Sequence, residues 1–243
     1  MDDAAVDWRL LSVMLCVSAL ILVLGTVAVA GMPGLGQGWD FATLSGFFAL
    51  ATIIQMFVLT GKPLPWPRYD GRFFMRLHVG LGGLVMLFMI LHVGGVLLAE
   101  PLVWKDIWPP VSRAMQAGVL AWLSLLFLLL ISGKRIRGRM FGTIALFRSW
   151  HQAAAIFLLC SAGLHGWWSG YRIHNTHVLV GWIFMICLAT FSPVLRKAIH
   201  RSEVQRHALR RVRGMSWAAI PVIIGAGAGS VVALWLCVLW LNG

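Results

Sequence analysis

The chain has 243 residues, of which 60% are hydrophobic and only 12% are charged. A soluble domain could not cover this much apolar surface with so few polar residues. The composition therefore indicates a membrane protein. The net charge of +12 comes mainly from basic residues in short loops between apolar runs. There it is explained by membrane orientation and does not indicate a nucleic-acid partner.

Seven apolar runs are each long enough to cross a bilayer, which takes about 20 residues of helix. Clusters of Gly, Pro and charged residues separate them. The sequence thus predicts an all-α integral membrane protein with seven transmembrane helices in contact with lipid. The predicted spans are approximately Leu10–Ala30, Phe41–Leu59, Phe74–Leu98, Ala114–Ile131, Ile144–Trp167, His177–Leu195 and Trp217–Leu241.

The distribution of Lys and Arg predicts the orientation of these spans. The loops after the second, fourth and sixth spans are rich in basic residues, whereas the other three loops hold only Lys105, Arg113 and Arg172. Basic loops stay on the cytoplasmic side. We therefore expect a plasma (inner) membrane protein with its N-terminus in the cytoplasm and its C-terminus outside.

Two of the apolar spans carry histidines at the same spacing. His78 and His92 lie in the third span, and His151 and His165 lie in the fifth. Fourteen residues advance a helix by about 21 Å and return to within roughly 40° of the same face. The members of one pair therefore cannot bind one metal ion, but each level of the membrane is offered one histidine from each helix.

This arrangement suits haem better than a metal ion bound by protein alone. A structural zinc site usually needs four ligands, and no acidic residue or cysteine lies nearby to complete such a set. A haem needs two axial ligands and has a flat, apolar ring. Small residues beside the histidines, such as Gly82, leave room for that ring. Alternatively, these small residues serve helix packing.

The paired histidines, on the third and fifth spans, resemble those of the ferric reductase-like transmembrane domain. That family includes ferric reductases, NADPH oxidases and the haem-bearing subunit of a bacterial methionine sulfoxide reductase system. The resemblance covers roughly residues 10–195. It implies a six-helix core with two b-type haems, the inner one ligated by His78 and His151 and the outer one by His92 and His165.

The resemblance also implies a division of the chain. Residues 1–198 would form the di-haem domain, residues 199–216 a basic cytoplasmic loop, and residues 217–243 an additional C-terminal helix.

Phe157 could fill the place of the aromatic residue that oxidases of the family often have between the haems. Three arginines near the ends of the haem helices are candidates for contacts with haem propionates, although orientation signalling explains them equally well: Arg76, Arg148 and Arg172.

The function implied is transmembrane electron transfer to an acceptor outside, which could be ferric iron or a siderophore, oxygen, or a periplasmic redox partner. Many members of the family carry a flavin- and NADPH-binding domain after the sixth helix. This sequence shows no dinucleotide-binding fingerprint there. We therefore expect electrons from a separate reductase or from quinol, and a haem-dependent oxidoreductase or electron-transfer subunit.

Two other functions compete with this one. A cytochrome b subunit of a quinol-oxidising complex also has two histidine pairs, but on its second and fourth helices. A transporter could use histidines as relays, but it would be expected to have acidic residues deep within its spans. Asp40 and Glu100 lie only at span edges.

Overall fold

A computed structural model describes residues 19, 23, 35–58, 71–107, 112–170 and 176–203. This part of the chain is helical and contains no strand. A 3₁₀ turn covers Pro101–Val103. The helices are α1 (Gln37–Val58), α2 (Gly71–Ala99), α3 (Trp104–Ile107), α4 (Arg113–Ser132), α5 (Lys134–Phe141), α6 (Ile144–Ser169) and α7 (Thr176–Glu203).

Four helices are long and apolar enough to cross a membrane, and they coincide with the predicted second to fifth spans. The predicted sixth span falls on α7, whose apolar part, Thr176–Phe191, is shorter than those four. The predicted first and seventh spans lie outside the described residues, apart from Ala19 and Val23. The fold is therefore an all-helical membrane fold, and the number of seven spans stays a prediction.

The chain divides into two compact units. The first unit comprises residues 1–99 and 187–243, and the second comprises residues 100–186. Each unit contains one pair of long helices in contact, α1 with α2 in the first and α4 with α6 in the second.

In the first unit, α1 and α2 approach each other closely through small residues. Gly38, Ala42 and Gly46 recur at four-residue intervals and so lie on one face of α1. A Cβ atom at Gly38 would lie 3.0 Å from Cβ of Ala99, and one at Gly95 would lie 2.9 Å from Cβ of Ala42. The start of α1 thus meets the end of α2, so the two helices are antiparallel.

Polar groups on α1 are satisfied within the helix or next to it. Ser45 and Thr52 donate their hydroxyl protons to the carbonyl oxygens of Phe41 and Phe48, respectively. The carboxylate of Asp40, which is fully buried, accepts a hydrogen bond from the backbone N–H of Leu35. Such pairing allows polar side chains to be buried in an apolar setting.

In the second unit, residues with defined capping roles delimit α4 and α6. The hydroxyl of Ser112 accepts a hydrogen bond from the N–H of Met115 at the start of α4, and Thr143 does the same for Leu146 in α6. These contacts satisfy N–H groups that have no partner inside the helix. Gly170 ends α6 in the left-handed conformation, with φ of +70°, which glycine adopts readily.

Candidate haem-ligand site

The four candidate ligands lie on the two long helices that the sequence predicted. His78 and His92 are on α2 in the first unit, and His151 and His165 are on α6 in the second. All four side chains are half-buried. The two members of each predicted axial pair belong to different units, so their pairing remains a prediction.

The two histidines near the C-terminal ends of these helices are held in the same way. His92 donates its Nδ1–H to the carbonyl oxygen of Ala42 at 2.8 Å, and His165 donates its Nδ1–H to that of Ala114 at 2.7 Å. A carbonyl oxygen can only accept, so each Nδ1 must carry the proton. The lone pair of the neutral ring is then on Nε2, the atom available to bind iron.

A glycine makes room for each of these rings. A Cβ atom on Gly46 would lie 2.9 Å from Nδ1 of His92, and one on Gly118 would lie 2.8 Å from Nδ1 of His165. Both distances are shorter than a side-chain carbon can tolerate. The two imidazoles therefore pack directly against helix backbone.

His151, nearer the start of α6, has aromatic and basic neighbours. Its ring centroid lies 5.4 Å from that of Phe147, one turn earlier on the same helix. The guanidinium carbon of Arg137, on α5, lies 5.4 Å from the centre of the Phe147 ring. A positive charge is thus placed against the aromatic ring that contacts His151.

An apolar groove of about 500 Å³ runs between α4 and α6. Its polar member, Ser124, donates its hydroxyl proton to the carbonyl oxygen of Leu120 and is satisfied within its own helix. A mostly apolar concave surface of this kind suits an apolar ring system. The lining residues are Leu120, Leu123, Ser124 and Phe127 from α4, and Trp150, Ala153, Ala154 and Phe157 from α6.

The remaining predicted residues have different outcomes. Phe157 lines the groove and is 50% exposed, and Arg148 is exposed on α6. A Cβ atom placed on Gly82 would lie 3.8 Å from Cε of Met56, in ordinary van der Waals contact. Arg76 lies on α2, but its side chain is not among those described, and Arg172 lies outside the described residues.

Sequence reasoning missed the backbone partners of the outer histidines. Ala42 and Gly46 lie near the start of the second predicted span, and Ala114 and Gly118 occupy the same place in the fourth. The repeated pattern Ala-x-x-x-Gly was the available signal. Within the described residues, no group of three or more His, Cys, Asp or Glu side chains could hold a metal ion.

Residues 45–162 match the model of the family described as "Ferric reductase like transmembrane component". This part of the chain is therefore similar to a ferric reductase-like transmembrane component. The match includes His78, His92 and His151 and ends three positions before His165. The family resemblance of the sequence is thereby confirmed. Comparisons with curated proteins and with solved structures found no match.

Proposed function

We propose that this protein transfers electrons across the membrane through two b-type haems, each held by one histidine of α2 and one of α6. The observation that carries the proposal is the matched hydrogen bond from Nδ1 of His92 and His165 to a backbone carbonyl. Histidines that bind metals through one ring nitrogen typically donate the proton of the other to a carbonyl or carboxylate oxygen. When bound, haem iron supplies reversible one-electron chemistry.

The four histidines would supply the haem ligands in this proposal. His78 and His151 would hold the haem at the cytoplasmic level, and His92 and His165 would hold the haem at the outer level. If two imidazoles hold each haem, the acceptor would not bind the iron directly, which favours outer-sphere electron transfer.

The groove between α4 and α6 supports a bulky apolar group beside α6, since Ala153 and Ala154 expose little side-chain volume there. On α2, a Cβ atom placed on Gly83 would meet nothing within 4 Å, which supports the same role there. Arg76, Arg148 and Arg172 remain candidates for pairing with propionates.

Exposed basic residues support the proposal that electrons enter from the cytoplasmic side of the membrane. Lys134, Arg135 and Arg139 on α5 are exposed, as is Arg148 on α6. By the distribution of basic residues, this segment faces the cytoplasm. Such a surface suits an acidic reductase subunit, with membrane quinol as the other donor. The acceptor outside would be ferric iron or a siderophore, oxygen, or a periplasmic redox partner.

The haem content of the purified protein tests this proposal directly. We expect about two b-type haems per chain from a haemochrome assay and a reduced-minus-oxidised spectrum. Each of four single variants should lose one haem, because each removes one axial ligand: His78→Leu, His92→Leu, His151→Leu and His165→Leu.

The matched control is His177→Leu, since His177 is exposed at the start of α7 and has no proposed ligand role. It should keep the full haem content. Protein without haem, purified from cells that load another b-type cytochrome, would contradict the proposal. The intramembrane histidines would then have to act as relays or packing groups.

A further inference from the structure

We infer that two helices without a proposed ligand, α1 and α4, position and tune the two outer histidines. On α1 the residues involved are Ala42 and Gly46, and on α4 they are Ala114 and Gly118. These four are positioning residues, since they act through the imidazoles. The inference rests on the proposed function, because it concerns the electronic state of the proposed ligands.

The same contact occurs independently in both units. In each, the carbonyl oxygen of an alanine near the start of one helix accepts the Nδ1 proton of a histidine near the end of its partner. The donor and acceptor residues are separated by 50 positions in the first unit and 51 in the second. One such contact could be incidental packing, whereas two at equivalent places indicate a shared task.

Helix geometry explains why a glycine accompanies each alanine. In an α-helix the carbonyl of residue i accepts the N–H of residue i+4. Gly46 and Gly118 are therefore the intrahelical partners of Ala42 and Ala114. A carbonyl oxygen has a second lone pair, and an imidazole can reach it only if the residue beside it lacks a side chain. The Cβ distances of 2.9 Å and 2.8 Å to Nδ1 show that any other residue would displace the ring.

The hydrogen bond has a chemical consequence for a bound metal. Donation of the Nδ1 proton to an acceptor raises the basicity of the imidazole at Nε2. A more basic axial ligand favours ferric over ferrous iron and so lowers the reduction potential. Displacing the ring from its carbonyl should therefore raise the potential of the outer haem and leave the inner one unchanged.

Two glycine variants test the inference in the haem-loaded protein. In a redox titration that resolves two components, Gly46→Ala and Gly118→Ala should each raise the midpoint potential of the outer component. They should also change its low-spin ferric EPR signal. The matched control is Gly181→Ala on α7, where nothing lies within 4 Å of an added Cβ. It should leave both components unchanged.

A measurement on the wild-type protein covers the case in which the glycine variants do not fold. In ¹⁵N-histidine NMR of the fully reduced protein in lipid, the Nδ1 protons of His92 and His165 should exchange slowly with D₂O. Resonances would be assigned by their loss in His92→Gln and His165→Gln. Fast exchange at both outer rings would overturn the inference.

The outcomes separate the two proposals. A wild-type protein without haem contradicts the proposed function, whatever the glycine variants do. A wild-type protein with two haems, whose outer potential is the same in Gly46→Ala, Gly118→Ala and Gly181→Ala, overturns only the positioning role.

Discussion

In the first unit α1 approaches α2 through Gly38, Ala42 and Gly46, whereas in the second unit the contact of α4 with α6 leaves a groove of about 500 Å³ lined by larger side chains. Both pairs nevertheless hold a histidine through a backbone carbonyl at nearly the same distance. The two helix pairs thus pack differently, but the hydrogen bond that holds the histidine ring is the same in both. The backbone contact of the histidine therefore does not depend on how closely the rest of the helix pair packs.

In the second unit, the short helix α5 contributes a residue to the surroundings of His151. α5 places Arg137 against Phe147, and Phe147 lies beside His151. An arginine near this level adds positive charge on the side from which electrons are proposed to enter. The comparison thus separates a shared outer arrangement from an inner one in which α5 takes part.

The largest expected effect comes from removing ligands in combination. The double variant His92→Leu/His165→Leu should lose one haem, the same as either single variant, because the proposal assigns both histidines to one haem. The double variant His92→Leu/His151→Leu should lose both haems. The haem-to-protein ratio measures these losses. If His78→Leu/His92→Leu kept one haem, the proposed assignment of one α2 histidine to each haem would be wrong.

The close approach of α1 and α2 can be tested at Gly95. Gly95→Leu should lower the free energy of unfolding by about 1–3 kcal/mol, because its side chain would overpack the contact with Ala42. Unfolding in mixed detergent measures the change. Trp168→Leu, at an exposed site near the end of α6, is the control and should stay within about 0.5 kcal/mol. Equal losses in the two variants would mean that the contact of Gly95 with Ala42 is not tight enough to be overpacked.

A smaller effect is expected at the cation–π contact of α5. Arg137→Gln should destabilise the docking of α5 by about 0.5–1 kcal/mol, since the guanidinium lies over the Phe147 ring. Hydrogen exchange of the α5 backbone should become faster. Arg139→Gln, which removes the same charge from an exposed position, should leave that exchange unchanged. The same acceleration in both variants would mean that charge alone, and not the ring contact, fixes α5.

The smallest change in stability is expected at Phe157, which is half exposed in the groove. Phe157→Leu should alter the free energy of unfolding by less than about 0.5 kcal/mol and leave haem content intact. If the ring relays electrons between the haems, light-triggered transfer between them should slow. Phe127→Leu, on the opposite wall of the groove, is the control. The same rate in both variants would remove Phe157 from the electron path.

The sequence predicted the helices where apolar length alone decides the structure. The predicted span Ala114–Ile131 corresponds to α4 at Arg113–Ser132, and Ile144–Trp167 corresponds to α6 at Ile144–Ser169. The predicted start of the third span at Phe74 came three residues late, because α2 extends beyond the apolar run to Gly71. Basic residues such as Arg72 are compatible with helix, so apolar content does not mark the end of a helix at an interface.

The sequence did not reveal α5 or the support of the outer histidines. The basic segment after the fourth span, treated as a loop, contains the helix Lys134–Phe141, bounded by Gly133 and by Gly142 with φ of +58°. Its one buried residue, Phe141, contributes little to a periodic pattern. The contact of His92 with Ala42 depends on how two helices are set along each other, which the periodicity of either one does not determine.

The backbone contacts of His92 and His165 also bear on how the protein is made. Each forms inside one antiparallel helix pair, so it requires only that both helices of that pair have entered the bilayer. Membrane helices insert first and associate afterwards. The first ring can therefore be oriented once synthesis has passed Ala99, and the second once it has passed Ser169. Each histidine would then already be oriented in its own helix pair before any cofactor is taken up.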